Sequence, residues 1–279
     1  MADNLRAGVI GLGKIGGGIA ASLVRSGRIP VVYDVVEDAY KNHEGVPEQL
    51  KSAAEVARNS DVIMIAVFNA QQAKSVIADE GGILEGAHSG LVVVLTSTVT
   101  VDEAIELSDI CKEAGVDFLD CGVSPGSLAA VNGLCAIVGG DEEVVEYARP
   151  VIADWSAAII HCGKTGAGMA AKVARNATTF GVWRVVQEST RMAMAAGIHP
   201  SKYLEMVKTL DKTEDLFYNF LEKCAQSEDG KLPEFMRGVY PRFMEKDLGA
   251  SKAFAESAGV DTPVLDKVIE LIPDTCDLE

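Results

Sequence analysis

The stretch that most restricts what this chain can fold into lies near its start. Ala7-Gly-Val-Ile10 is a short apolar run that leads directly into Gly11-Leu-Gly13-Lys-Ile-Gly16. An Ala- and Leu-rich helical pattern follows through Arg25, closed by Gly27, and Pro30-Val-Val-Tyr-Asp34 then reads as a second strand ending on an acid. Glycines at this spacing are common in turns and say little alone. Set between a strand and a helix, with an acid 18 residues after the last glycine, they predict a dinucleotide-binding unit. Gly11 allows the tight turn, Gly13 lets the backbone approach a pyrophosphate, and Gly16 lets the helix pack on the strand. Leu12, Lys14 and Ile15 complete the cradle, where amide donors and the partial positive charge of a helix N-terminus suit phosphate. Asp34 selects the cofactor. Its carboxylate can accept hydrogen bonds from ribose hydroxyls and repels a 2′-phosphate, and no arginine follows in Val35-Val-Glu37. NAD is therefore expected over NADP.

The alternation of apolar runs and helical stretches continues. Val62-Ile-Met-Ile-Ala-Val67, Leu91-Val-Val-Val-Leu95, the short Phe118-Leu119, Leu134-Cys-Ala-Ile-Val138 and the shorter Ala158-Ile-Ile160 read as buried strands. Continuous rather than alternating runs suit a sheet covered by helices on both faces. Loops after the strands of such a sheet face the cofactor, which makes Val67, Phe68-Asn69 and Thr96-Ser-Thr98 contact candidates. For the last, a helix N-cap ahead of Val101-Asp-Glu is the competing reading. Asp120-Cys-Gly-Val-Ser124-Pro-Gly126-Ser reads as a polar, glycine-bearing turn after a strand. Such a turn can present amides and a hydroxyl to a carboxylate, or be only a turn.

From Gly163 to Gly197 the chain has no proline and is rich in Ala, Met, Val, Arg and Glu. Helix is expected from Thr165, a candidate N-cap, to Ala196, with Gly197 as the stop. Such a helix would span roughly 48 Å, long enough to connect two domains. Gly181 inside it costs about 1 kcal/mol relative to Ala. Lys172 and Asn176 stand at i and i+4 on one face, either a solvated stripe or a pair with work to do. Beyond Gly197 no comparable β-like run occurs, and repeated Leu, Phe, Val and Ala positions suggest helices. The expected fold is a Rossmann-type doubly wound α/β domain over residues 1–164 and an all-α domain over 165–279, joined by the long helix. Its apolar residues, among them Met169, Val173, Phe180, Trp183, Val186 and Met194, occupy more than one side. A helix so apolar needs partners on several faces, so a homodimer or homotetramer is expected.

Composition narrows the ligand classes. A hydrophobic fraction of 48% with 24% charged residues is a globular profile, and no run is long enough to span a membrane. The chain passes almost directly into its first strand, leaving no room for a signal peptide. The six cysteines show no Cys-x-x-Cys spacing and read as reduced core residues of a cytoplasmic protein, with no metal site expected. A formal charge of −16 argues against nucleic acid. It also requires any anionic ligand to be held by local donors.

Four spaced motifs carry a resemblance across nearly the whole chain. They are Gly11-Leu-Gly-Lys-Ile-Gly16, Asp120-Cys-Gly-Val-Ser124-Pro-Gly126, Gly163-Lys-Thr-Gly-Ala-Gly168 with Lys172 and Asn176, and Lys246-Asp-Leu248. In this order they resemble the β-hydroxyacid dehydrogenases, a family that includes 3-hydroxyisobutyrate dehydrogenase and tartronate semialdehyde reductase and shares the NAD-binding domain of 6-phosphogluconate dehydrogenase. The resemblance implies that Lys172 is the general acid/base and that Asn176 helps hold the substrate. It further implies that Ser124 and Gly126 bind the substrate carboxylate, and that Thr98 and Lys246 lie near the nicotinamide. The implied partner is a small anionic hydroxy acid or semialdehyde. Two departures bear on it. Pro125 replaces the first glycine of the family's usual Ser-Gly-Gly and removes a backbone donor. Arg175 stands where the family commonly has asparagine, as a surface ion pair or as a donor fork for a second anionic group of the substrate. The expected activity is NAD-dependent oxidation of a small hydroxy acid, or the reverse reduction. One alternative is an NAD(P)-dependent imine reductase, whose known representatives usually replace the lysine retained here. The other is a non-catalytic dinucleotide-binding sensor, which the presence of both Lys172 and Asn176 disfavours.

Overall fold

Runs of Val and Ile without polar alternation are stable only as strands covered on both sides, and here they form the middle of a sheet. The computed structural model describes residues 5–214, 219–227, 229 and 231–278. Two compact units result, Met1–Asn176 and Ala177–Glu279.

The first unit carries strands β1 (Ala7–Ile10), β2 (Val31–Tyr33), β3 (Val62–Ile65), β4 (Val92–Leu95), β5 (Asp117–Ser124), β6 (Leu134–Gly139) and β7 (Ser156–Gly163). They form one seven-stranded sheet in the order β2-β1-β3-β4-β5-β6-β7. β1 to β5 pair in parallel, β6 turns antiparallel to β5, and β7 is parallel to β6. Every residue of β1, β3 and β4 is buried. Strand periodicity divides them between two cores. Val62 and Met64 pack with Ile19, Leu23 and Trp155 on one face, under α1 (Lys14–Arg25) and α6 (Glu142–Ala153). Ile63 and Ile65 pack with Val56, Ile77 and Leu107 on the other. That face is covered by α2 (Ala53–Arg58), α3 (Ala70–Ala78), α4 (Ile83–Gly86) and α5 (Val101–Glu113).

Two segments differ from the sequence reading. Asp120 to Ser124 is not a turn but the second half of β5, paired residue for residue with β6 from Asp120↔Gly139 to Ser124↔Cys135. Asp, Gly and Ser favour turns when nothing else decides, and here a neighbouring strand supplies the ladder. β7 likewise runs well beyond Ala158–Ile160. It stands at the end of the strand order beside β6, so its polar and exposed residues carry little cost.

Helix α7 (Ala167–Ala195) starts two residues after Thr165, and its opening residues pack with the sheet of the first unit, where Met169 is fully buried. The second unit takes the rest of α7 with α8 (Pro200–Glu214), α9 (Asn219–Cys224), α10 (Glu234–Ser257), α11 (Pro263–Glu270) and α12 (Ile272–Thr275). Among its described residues the regular structure is all helix, joined by turns. Its polar anchor is Glu188, 3% exposed, which pairs with Arg184 at 2.8 Å and accepts the Val264 and Leu265 amides at 3.1 Å each. Burial pushes this carboxyl up, but the guanidinium and two amides outweigh it and hold Glu188 below the usual carboxylate range.

Candidate functional site

The strand order places the topological switch between β1 and β3, so the crevice opens beyond their C-terminal ends. Gly11 leaves β1 with φ +88°, a left-handed turn that suits glycine. A Cβ on Gly16 would stand 1.8 Å from the Gly11 carbonyl oxygen, so the start of α1 lies directly on the turn. A Cβ on Gly13 would meet nothing within 4 Å. The space over Gly13 is thus open to a ligand that needs bare backbone. Asp34 follows β2, and its carboxylate accepts the Leu12 amide at 2.5 Å and the Val36 amide at 2.8 Å. A carboxylate has about four acceptor positions, so capacity remains for ligand hydroxyls. Gly11, Gly13, Asp34, Val67, Phe68 and Gln72 line a cavity of about 330 Å³ here. Open glycine backbone, a helix N-terminus and an anchored acid fit a dinucleotide. A larger cleft of about 500 Å³ lies at the opposite edge of the sheet, where Arg6 and Arg28 are paired with Asp61 and Asp154.

Sequence reasoning missed His43. Its Nε2 donates to the Leu12 carbonyl at 2.7 Å, and a Cβ on Gly17 would lie 2.0 Å from that nitrogen. Gly17, which follows the fingerprint, is therefore the seat of a histidine that steadies the turn. No local signal marks a lone histidine between strands. Lys14 is exposed and Ile15 half-buried.

The loop candidates separate. Val67 and Phe68 line the cavity, Phe68 being 87% exposed. The Asn69 side chain caps α3 by accepting the Gln72 amide, while the Gln72 side chain accepts the Phe68 amide. Thr96 and Ser97 are buried and staple β4 to β3. Thr96 donates to the Ile65 carbonyl, and Ser97 both accepts the Val67 amide and donates to its carbonyl. Thr98 is exposed, and the N-cap ahead of Val101 is Thr100, in a capping box with Glu103.

Ser124 ends β5 at the same edge of the sheet, and Gly126 opens a tight helical turn over Gly126–Val131. A Cβ on Gly126 would be 3.0 Å from the Ile15 side chain, so the two turns adjoin. Asp120, at the other end of this stretch, does not face a ligand. It is fully buried and accepts the Gly166 amide at 2.7 Å and the Met169 amide at 2.6 Å. Gly122 lies under Lys172, whose Cβ would be 2.4 Å from a Cβ added there. Lys172 is 6% exposed. Burial first, and the Arg175 charge second, push its ammonium below the ordinary lysine value, against an opposing pull from Cys135. Asn176 is half-buried four residues further along α7, and Arg175 is exposed. Lys246 belongs to the second unit, on α10, where it is exposed beside Asp247 at 3.1 Å.

Among the described residues no His, Cys, Asp and Glu cluster could hold a metal, and no helix is long and apolar enough to cross a membrane. No cysteine there is in a disulfide. Cys111 and Cys121 are buried and their thiols pushed up by burial, Cys111 to about 12, whereas Cys162 is exposed.

Comparison with known proteins agrees with this geometry. Residues 6–163 match the NAD-binding domain of 6-phosphogluconate dehydrogenase. An uncharacterised oxidoreductase of Mycobacterium tuberculosis is 32% identical over 267 residues, covering 93% of this chain and 89% of that protein. The 2-(hydroxymethyl)glutarate dehydrogenase of Eubacterium barkeri is 28% identical over 269 residues, covering 95% and 87%. A variant imine reductase from Myxococcus stipitatus, solved with NAD+, superimposes with a TM-score of 0.77 at 16% identity, covering 98% of this chain and 94% of that one. That last likeness is one of fold.

The glycine turn gives two opposite expectations. Gly13→Ala has room and should fold like the parent, yet bind NAD at least tenfold more weakly, about 1.4 kcal/mol. Gly16→Ala meets a carbonyl and should lose about 1–3 kcal/mol of stability from overpacking. Calorimetric titration and denaturant melts separate the two, and parental NAD affinity in Gly13→Ala would remove the pyrophosphate from this turn.

Proposed function

We propose that this chain, which belongs to the β-hydroxyacid dehydrogenase family, interconverts a small β-hydroxy acid and its semialdehyde or keto acid with NAD, using Lys172 as the proton shuttle. The observation that carries the reading is a lysine buried against the side-chain-free Gly122 of β5, at the edge of the sheet where the dinucleotide turn opens. Bound NAD supplies the hydride acceptor, or the reduced cofactor the donor. In oxidation, neutral Lys172 takes the hydroxyl proton as hydride leaves the same carbon. In reduction its ammonium returns that proton to the carbonyl oxygen. Ser124 Oγ and the Gly126 amide hold the substrate carboxylate, and Asn176 orients the hydroxyl. Pro125 offers no N–H, so this cradle has one donor fewer than a Ser-Gly-Gly turn.

Arg175 adds a cation one helical turn from Lys172, favouring a substrate with a second anionic group. In the cofactor cleft Gly11 to Gly16 take the pyrophosphate, Asp34 the adenosine ribose, and Val67, Phe68 and Asn69 the adjoining wall. Thr98 is assigned to the nicotinamide end. A spectrophotometric screen of short hydroxy acids and dicarboxylic hydroxy acids with NAD, following the reduced cofactor, tests the reading. No turnover across that set would reject it.

Three outcomes follow. Lys172→Ala should lower kcat by about 10²–10⁴-fold. NAD affinity should hold, and Lys172→Arg should rescue poorly because a guanidinium does not give up its proton near neutrality. Near-parental turnover in Lys172→Ala would end the lysine mechanism and leave the cofactor assignment standing. The pH profile supplies the second. The rate of oxidation should rise as pH passes the Lys172 pKa, below the ordinary 10.5. Removing the Arg175 charge relieves the ammonium, so Arg175→Ala should move that limb to higher pH and Arg175→Lys should not. The third concerns assembly. Phe180, Trp183, Val186 and Met194 on α7 are each at least 50% exposed, and a second copy of the chain is the proposed cover. Light scattering should return at least a dimer mass at micromolar concentration, and a monomer mass would contradict it.

A further inference from the structure

The site described above leaves one fully buried carboxyl group without a task. Asp120 is 0% exposed, and among the described residues no salt bridge reaches it. A buried carboxylate without a cation is costly unless hydrogen bonds replace its water. Here the replacement comes from the start of α7, through Gly166 N to Oδ1 at 2.7 Å and Met169 N to Oδ2 at 2.6 Å. Both amides are among those that a helix leaves unpaired at its N-terminus, and the helix dipole there favours an anion. A local cap would serve stability equally well, and Thr165 stands in the sequence for one. The cap is instead delivered by a strand 46 residues away.

Delivery from β5 has a geometric consequence. Asp120, Gly122 and Ser124 alternate along one strand and so share a face. Asp120 grips the first turn of α7. Gly122 receives the Lys172 stem, because a Cβ there would come within 2.4 Å of Lys172 Cβ and 2.7 Å of Cγ. Ser124 ends the strand at the proposed carboxylate cradle. Two bonds to amides three residues apart fix the helix in rotation as well as along its axis, and a slip of one residue would swing Lys172 by about 100°. Gly168 closes the clamp from the helix side, since a Cβ there would lie 2.5 Å from Gly139 N and 2.7 Å from Asp120 O.

We propose that Asp120 is a positioning residue for the reaction, a strand-borne cap that sets Lys172 against Gly122 and at a fixed distance from Ser124. The inference rests on the lysine reading above but is tested without substrate. Reductive ¹³C-methylation of the lysines and NMR titration report the Lys172 ammonium directly, its resonance assigned by its loss in Lys172→Arg. In the parent it should titrate below the other lysines. In Asp120→Asn one acceptor becomes an NH₂ facing an amide, so the stem should leave its seat and Lys172 should titrate higher, with the exposed lysines. Loss of the Asp120 charge alone would move it the other way, to lower pH. An unchanged or lowered titration in Asp120→Asn therefore overturns the proposal. So does a Lys172 that already titrates with the others in the parent. If Asp120→Asn does not fold, Gly122→Ala decides: it leaves the cap in place and displaces the stem, and an unshifted Lys172 there overturns the proposal equally. On a hydroxy acid returned by the screen above, Asp120→Asn should lose about 10²-fold in kcat, the cost of misplacing a catalytic group by an ångström. NAD affinity should stay within twofold. A normal rate in Lys172→Ala would defeat the lysine mechanism while leaving this titration result standing.

Discussion

The first unit depends on backbone approaching backbone more closely than any side chain allows. Gly16 brings α1 onto the turn that leaves β1, and Gly168 brings α7 onto β5 and β6. In both places an added Cβ would fall inside 2.6 Å of a main-chain atom. Overpacking of that kind costs of order 1–3 kcal/mol even where the surroundings adjust. The benefit is positional. A helix lying directly on a strand presents its N-terminal amides within reach of that strand's ligands and side chains, with little slack from intervening rotamers. The dinucleotide turn and the Lys172 segment are two uses of this one constraint.

Charge is handled by the same economy of distance. The chain carries a formal −16, so cations are too few to neutralise every acid. At the positions that matter, acids are satisfied by amides. Asp34 takes those of Leu12 and Val36, Asp120 those of Gly166 and Met169, and Glu188 those of Val264 and Leu265 with help from Arg184. Two of these reach across from other elements to a helix start, where unpaired donors and the dipole converge. Charge-assisted bonds of this sort are about twice as strong as neutral ones, which offsets part of the cost of taking a carboxylate out of water.

Legibility from sequence follows the range of the forces. The β1–α1–β2 unit was readable because turn, helix and acid are all set within one short segment, by glycine sterics and strand burial. The buried strands β3, β4 and β6 were readable because their apolar runs leave no other option. Asp120 to Ser124 reads as a turn because Asp, Gly and Ser favour turns locally, while the partner that makes it a strand is β6. Thr165 was the nearest cap in sequence, yet the acid that holds the first amides of α7 comes from β5. The cap ahead of Val101 lies at Thr100, just past Thr96-Ser-Thr98, in a capping box with Glu103 that spacing alone does not single out. His43 carries no periodic or motif signal, and its role exists only because Gly17 leaves room for its ring.

The departures from the family pattern spare the frame. Gly122, Gly168 and Asp120 form the frame, the glycines because a Cβ at either would fall within 2.5 Å of a neighbouring atom and Asp120 because it holds the Gly166 and Met169 amides. Pro125 and Arg175 lie outside it. Pro125 subtracts an amide beside Ser124, and Arg175 adds a guanidinium beside Lys172, so the donors around the lysine are redistributed from strand edge to helix. That exchange has an electrostatic cost, because the added cation lowers the proton affinity of Lys172. Under the proposed lysine mechanism that cost falls in the useful direction. A base that works on a hydroxyl must spend part of its time neutral, and burial on bare β5 backbone with a cation at its side brings a lysine towards that state.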